Sequence, residues 1–437
     1  MTTPIIIGII GLFVFLLLIF SGIPVALSML IVGIFGSMFL LRQPMSAFGM
    51  ASDTIYSTFT SYTLSVAPVF MLMGDLATET GIGNDLYTCF QKLIGHRKGG
   101  LANATQIVCA LFGAICGSQA ATAAMMSRVA YPQMKRFGYA DTLSTGCISA
   151  GSCLAILIPP SMALINYGII AETSISRLLI GGLSTGIVLM FIFIISIWIW
   201  CAIKPDLAPT SAKVSFKEKL IAIRKGGLIE VIIVFGISMA GMFLGWFTPT
   251  EAGAVGVLGM VLISILFKRF TLKAIGRAIK NTLVMTGMIY CILAGANVFN
   301  KFITLTKIPA ALGRLVTGMD VHVIVIMLVI TLIYLVLGCF IDTMPLMLLT
   351  TPIFLPIIKA IGYDPVWFGC YMVVISGLGA ITPPVGSACY IVSGVCEGVP
   401  LMKVFKGSLP FVISYVVMAM LMSVLPEIAT WLPSLMK

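Results

Sequence analysis

Ile158-Pro159-Pro160-Ser161 interrupts an apolar run long enough to cross a bilayer. Proline removes a backbone N–H, and its ring clashes with the carbonyl four residues back, so a helix must break there. In hydrocarbon the freed backbone groups have no water, and such a break is tolerated only where protein or a wet cavity surrounds it. The same device recurs 224 residues later, at Thr382-Pro383-Pro384-Val385. Two such breaks, half a chain apart, mark a candidate transport site.

The composition sets the surroundings. The chain has 437 residues, 59% hydrophobic and 9% charged, against about 25% charged in soluble domains. Long apolar runs without strand alternation predict an all-α polytopic membrane protein. Residues 1–20 lack a basic start and a small-residue cleavage site, and read as a first transmembrane helix rather than a signal peptide. The net charge of +11 does not point to nucleic acid. Of the 26 Lys and Arg, 17 fall in segments 92–98, 128–136, 204–225 and 268–280, the clustering of cytoplasmic loops. Eleven Cys without a CxxC pair predict free buried thiols, and two distant His, His96 and His322, cannot supply a zinc site.

In chain order, helices are predicted at about 3–20, from Pro24 to about Leu41, and at 60–80, with a short interfacial helix over 84–97. Residues 101–127 are apolar and rich in small residues, yet both flanks are basic: Arg97 and Lys98 before, Arg128, Lys135 and Arg136 after. A re-entrant hairpin keeps both flanks on one side, with its tip near Gly113, Gly117 and Ser118. The run 140–171 would reach roughly 48 Å as one helix, against a hydrocarbon core of about 30 Å, and the Pro159-Pro160 break resolves the excess. A helix over 178–203 leads to a basic, amphipathic surface linker over 204–227. The second half predicts helices at about 228–246 and 252–268, a basic loop, and a helix near 283–300. A hairpin at about 322–351, a broken helix at 364–395 and a last helix at 408–430 complete it.

Between 132–160 and 356–384, eight of 29 positions are identical, among them Pro132 with Pro356, Tyr139 with Tyr363, Ser152 with Ser376 and both proline pairs. This is an internal repeat. Each half holds five full spans and one hairpin, so the second copy enters the membrane from the opposite side. The charges agree: 128–136 holds three basic residues, whereas 352–360 holds only Lys359. Inverted repeats with discontinuous helices meeting near the midplane are the signature of secondary transporters. Both termini are then expected on the outer face.

Three stretches can carry chemistry. Gly117-Ser118-Gln119-Ala120-Ala121-Thr122, at the first hairpin tip, offers a bent backbone and hydroxyls for Na⁺, or only close helix packing. Asp342, in Gly338-Cys339-Phe340-Ile341-Asp342-Thr343, lies opposite Ser118 under the repeat. An intramembrane carboxylate costs roughly 2.5–3.5 kcal/mol and is functional by default, although it could simply cap the hairpin turn. The Pro-Pro breaks, with Ser152, Ser161, Ser376, Thr382, Gly386 and Ser387 nearby, suit Na⁺ at unwound carbonyls and a carboxylate at half-helix N-termini, or a kink needed only for packing. No Arg lies in these stretches, so an anion would be held by helix ends, hydroxyls and bound Na⁺. Thr248-Pro249-Thr250-Glu251 reads as a structural capping box. There is no HExxH, no Gly-rich phosphate loop and no His-containing triad, so no enzyme and no organic cofactor are expected.

These stretches, with Phe247-Thr248-Pro249-Thr250-Glu251-Ala252-Gly253 and Thr382-Pro383-Pro384-Val385-Gly386, resemble the large membrane subunit of tripartite ATP-independent periplasmic (TRAP) transporters over essentially the whole chain. Gln119 stands where that family usually has a second Ser. The resemblance implies an elevator-type Na⁺/organic-anion symporter of the bacterial inner membrane. A periplasmic binding protein would deliver a carboxylate or sialic acid, and a small membrane subunit of about four helices would be a separate chain. Lipid would be the remaining partner.

Na⁺ is expected at Gly117, Ser118, Pro159, Gly338, Asp342, Thr382 and Gly386, and substrate at Ser118, Thr122, Ser152, Ser161, Ser376 and Thr343. Residues 1–58 and 228–281 would form a fixed scaffold, with 59–203 and 282–437 as the moving part. The alternative is a stand-alone Na⁺/dicarboxylate symporter that needs no binding protein. An ion channel or a membrane enzyme stands further off.

Overall fold

Several helix ends in this chain fall at glycine, as at Gly81, Gly95, Gly117 and Gly226. The computed structural model describes residues 3–210, 214–318 and 323–436. His322, with the start of the second hairpin, and residues 211–213 of the linker lie outside the described residues. Among the described residues every regular element is helical.

The first half runs α1 (Thr3–Phe20), α2 (Val25–Leu41), α3 (Pro44–Phe59), α4 (Val66–Thr80) and α5 (Ile82–Ile94). The hairpin pair α6 (Gly100–Cys116) and α7 (Gln119–Arg136) follows, then α8 (Asp141–Ser152), α9 (Met162–Ile170) and α10 (Ile175–Ile203). The linker holds α11 (Phe216–Lys225). The second half runs α12 (Leu228–Phe243), α13 (Pro249–Leu266), α14 (Leu272–Leu305), α15 (Ile308–Gly318), the hairpin pair α16 (Val323–Gly338) and α17 (Thr343–Ala360), α18 (Pro365–Ala380), α19 (Ser387–Val395), α20 (Leu401–Val424) and α21 (Glu427–Ser434). Among the described residues six helices are long and apolar enough to cross a membrane by themselves.

The local signals act as expected at the caps. Thr248 and Glu251 form a reciprocal capping box at the start of α13. Asp364 accepts from the Val366 amide at 2.7 Å, with Pro365 in the first helical position of α18. All eleven cysteines are free thiols, and only Cys291 is exposed.

Three elements differ from the sequence reading. Residues 60–80 do not form one helix. α3 precedes them, and a short 3-10 turn at Tyr62–Ser65 joins it to α4. The α3 sequence contains Ser46, Ser52, Asp53, Thr54, Ser57 and Thr58, too polar to register as a span. Its second-half counterpart has no such joint. α14 is continuous over 34 residues, and the supposed basic loop forms its first turns. Thr271 caps it by accepting from Ala274 N, and Lys273, Ala274, Arg277 and Ala278 are strong helix formers. The last helix ends at Val424, and α21 starts after Leu425-Pro426.

The 224-residue offset holds at the level of elements. α8 and α18 begin at Asp141 and Pro365, and the cis bonds Pro159-Pro160 and Pro383-Pro384 keep the same spacing. The Cys153 thiol lies 3.9 Å from the carbonyl of Gly377, its own counterpart. A residue that touches its equivalent sits beside the axis relating the two copies.

Packing divides the helices into two groups. α14 lies against α2, α3 and α4, and α13 against α4 and α12. The hairpins, the broken helices, α10 and α20 pack with one another. α4 and α14 pack mainly with α1–α3, α12 and α13, and also touch the hairpin helices α6 and α17; the sequence reading put α4 and residues 282–305 with the hairpins. The second group is tightest where α8 crosses α20. A Cβ on Gly146 would strike the Gly407 carbonyl, and one on Gly407 the Thr142 carbonyl.

Gly407→Val is therefore expected to cost about 1–3 kcal/mol by overpacking. A clear fall in thermal midpoint of the purified protein checks it. Gly236→Ala, with nothing within 4 Å of the new carbon, should leave the midpoint unchanged.

Candidate functional site

Each hairpin turns on a residue that the sequence singled out. Gly117 ends α6 with φ +59°, a left-handed conformation that favours glycine. A Cβ there would collide with the carbonyl oxygen of Pro160, so the hairpin tip rests on the first break. Ser118 caps α7, its Oγ accepting from Ala121 N at 3.3 Å. In the second hairpin Asp342 is the residue before α17, with its side chain free of capping duty. Ser387 Oγ donates to Asp342 Oδ1 at 3.5 Å, and the Cys339 thiol donates to the Pro383 carbonyl at 3.1 Å. Each tip thus leans on its own break.

The two tips open into one cavity of about 630 Å³. The hairpin group contributes Cys116 to Ala121, Asp342 to Met344, Ile156, Met162, Ala163, Ser387 and Ile391. The opposite wall is α4, through Met71, Gly74, Asp75 and Thr78, and α14, through Asn281, Val284, Met285, Met288 and Ile289. The cavity therefore lies between the two packing groups. Four helices begin at it: α7, α9, α17 and α19. Their first-turn N–H groups and aligned peptide dipoles bring positive partial charge to a cavity that has no cationic side chain and holds two carboxylates, Asp342 and Asp75. None of the lining residues is Lys or Arg.

Of the expected site residues, Gly117, Ser118, Asp342 and Thr343 line this cavity. Thr343 Oγ1 and Gln119 Nε2 are buried there with no hydrogen-bond partner. Thr122 stands behind the tip, donating to the Ser118 carbonyl at 2.8 Å. Ser152 donates to Ser149 O at 2.8 Å, Ser161 to Ile156 O, and Thr382 to Leu378 O at 2.6 Å. These three hydroxyls satisfy backbone carbonyls beside the breaks. Ser376 is buried without a partner near the repeat axis, and Pro159, Gly338 and Gly386 also lie outside the lining. Asp342, Ser118 and Thr343 offer only oxygen, the donor type of hard cations such as Na⁺. No group of three or more His, Cys, Asp or Glu that could hold a metal occurs among the described residues.

Sequence reasoning missed the far wall. Asp75 is a second carboxylate in the cavity, half-buried, accepting from Thr282 Oγ1 at 2.7 Å. One turn on, Glu79 is paired with Arg277, whereas Asp75 has no ion-pair partner among the described residues. The rule that marked Asp342 applies equally to an acid inside a predicted span. Asn281 was hidden because it falls at the end of what read as a loop.

Paired hairpins, paired breaks and a largely apolar cavity with polar groups at the hairpin tips, set between two helix groups, are the features of a polytopic membrane transport protein. Solved transporters share the architecture. The Alcanivorax borkumensis YdaH transporter aligns with a TM-score of 0.61 over 87% of this chain and 89% of that one, at 13% identity. Neisseria gonorrhoeae MtrF, described as illuminating a class of antimetabolite efflux pumps, aligns at 0.54 over 86% and 84%, at 14% identity.

The family is closer than these folds. Residues 12–428 match the model of the tripartite ATP-independent periplasmic transporter, DctM component, and the chain belongs to that family. It is similar to the C4-dicarboxylate TRAP transporter large permease protein DctM of Pseudomonas aeruginosa, 33% identical over 90% of this chain and 91% of that one. The ectoine TRAP transporter large permease protein TeaC of Halomonas elongata is 33% identical over 85% and 86%. The sialic acid TRAP transporter large permease protein SiaM of Vibrio cholerae is 29% identical over 96% of each chain.

Asp75→Asn is expected to lower solute uptake about tenfold, the scale of one charge-assisted hydrogen bond. Uptake by cells expressing equal amounts of wild type and variant checks this, with an unchanged thermal midpoint as the control for folding.

Proposed function

We propose that this chain is the translocating subunit of a Na⁺-driven importer of a small organic acid in the bacterial inner membrane. A periplasmic binding protein would deliver the solute, and a small four-helix subunit on a separate chain would complete the permease. The observation that carries the reading is the convergence of four helix N-termini on one cavity with no Lys or Arg in its lining. Such ends favour a carboxylate. Asp342 and Asp75 in the same cavity oppose it, and bound Na⁺ at the hairpin tips offsets that repulsion. Coupling then follows from charge: the solute anion binds well only when Na⁺ is present. Na⁺ would be held by Asp342, Ser118 and Thr343 with backbone carbonyls of the tips.

The two packing groups suit an elevator motion. α4 and α14 would stay with the scaffold, while the hairpins, broken helices, α10 and α20 carry the cavity's other wall past them. Gly74 favours such sliding, because a Cβ there would sit 2.5 Å from Cys116 Cα. Under the inverted topology, both termini face the periplasm, and the 128–136 and 204–225 basic segments face the cytoplasm. The solute class spans what the relatives' names print, from C4-dicarboxylate to sialic acid and ectoine.

Asp342→Ala should abolish Na⁺-dependent uptake in vesicles reconstituted with the small subunit and the binding protein. Uptake that stays Na⁺-dependent in the variant removes Asp342 from the coupling site. Uptake by wild-type chain alone, without binding protein, would instead establish a stand-alone symporter.

A further inference from the structure

α7 connects two different places. Its first turn lines the solute cavity, and its last two turns line a second cleft of about 520 Å³. Arg128, Tyr131, Pro132, Lys135 and Arg136 fall at positions i, i+3, i+4, i+7 and i+8, which share one helix face. Val395 and Glu397, at and beyond the end of α19, form the facing wall. α19 also begins at the solute cavity, with Ser387 and Ile391.

The charges in this cleft do not cancel within the chain. Three cations face one acid, Glu397. Arg128 and Arg136 are exposed, with no ion-pair partner among the described residues. The nearby carboxylate of Asp141 is already engaged. Lys403 Nζ donates to its Oδ2 at 2.7 Å, and the Tyr131 hydroxyl to its Oδ1 at 3.1 Å. Lys135 spends one of its three N–H donors on Tyr131, at 3.2 Å.

Ser127 supplies an independent sign of a ligand. It lines the cleft, is only 2% exposed, and its Oγ has no hydrogen-bond partner. The Cys396 thiol, a weak hydrogen-bonding group, lies within its reach. A buried hydroxyl left with no strong partner costs about 1–3 kcal/mol. A surplus of guanidinium and ammonium donors beside a free hydroxyl matches an oxyanion with several acceptor oxygens. The cleft is also far larger than a bare ion.

We propose that the cleft of Ser127, Arg128, Lys135 and Arg136 binds a phosphate group, carried in the membrane by an anionic phospholipid headgroup. Basic pockets between helices at the cytoplasmic membrane surface take such headgroups. This site is separate from the solute cavity, and it grips the two helices that run from that cavity to the membrane surface.

Native mass spectrometry of the purified chain tests it, with phosphatidylglycerol, phosphatidylcholine and inorganic phosphate as the probes. Wild type should retain phosphatidylglycerol over phosphatidylcholine. Arg128→Gln with Arg136→Gln should lower that retention about tenfold, Ser127→Ala should weaken it, and Glu397→Gln should strengthen it. Thermal midpoints without lipid should match wild type, which separates loss of the site from misfolding. A midpoint rise with millimolar phosphate, competing with the lipid, would assign the same site to a soluble phosphate source. Equal retention by the double variant, or no preference of wild type for either phosphate probe over phosphatidylcholine, overturns the proposal.

Discussion

A backbone that leaves its helix inside a membrane must find its hydrogen bonds within the protein or in a wet cavity. That requirement governs the two proline breaks and, through them, the rest of the molecule. At the first break the Ser161 hydroxyl donates to the Ile156 carbonyl while accepting from Leu164 N at 3.1 Å. At the second, Thr382 donates to Leu378 O at 2.6 Å, and the Cys389 and Cys339 thiols reach Ile381 O at 3.6 Å and Pro383 O at 3.1 Å. Short hydroxyls and thiols thus take up backbone carbonyls of the unwound turns. The start of α19 has no side-chain cap, that of α9 is capped by Ser161, and both face the cavity between the hairpin tips.

This division of labour changes how the polar residues near the breaks are understood. Ser152, Ser161 and Thr382 look like ligands in a list of intramembrane hydroxyls, but their protons go to backbone carbonyls. Of the groups left without protein partners, Thr343 Oγ1 and Gln119 Nε2 lie at the hairpin tips, and Ser376 Oγ lies away from them. The cavity therefore combines unpaired polar atoms, two carboxylates and four helix ends. Gln119 thus has a place of its own in the cavity, although the resembling family usually has Ser there.

Much of this was legible in the residues. The basic flanks of 101–127 indicated a hairpin because one span would have left one cluster on the wrong side, and the turn falls at Gly117 and Ser118 as expected. The 224-residue repeat placed Asp342 opposite Ser118, and both line the one cavity. What stayed hidden depends on which helix packs on which. α3 lies against α14 and α2 with Ala47, Ala51, Thr54 and Thr58 buried, small residues that do not read as an apolar span. α14 absorbs its basic stretch because a long helix can extend past the hydrocarbon, a length that hydropathy alone does not report. Asp75 looked like one polar residue in an apolar run until α4 was placed across the cavity from the hairpins.

By itself the sequence determined the class of molecule, its two-fold repeated plan, its breaks and its hairpin tips. Those features rest on local rules: proline cannot continue a helix, lysine and arginine stay on one side, and a carboxylate does not sit idly in hydrocarbon. Only the tertiary structure decided which wall faces the tips, which hydroxyls are spent on the backbone, and which helices pack together as a group. Those facts depend on contacts between residues some 200 positions apart, such as Thr282 with Asp75 and Cys153 with Gly377. No local pattern encodes them, because packing across the repeat axis is chosen by shape.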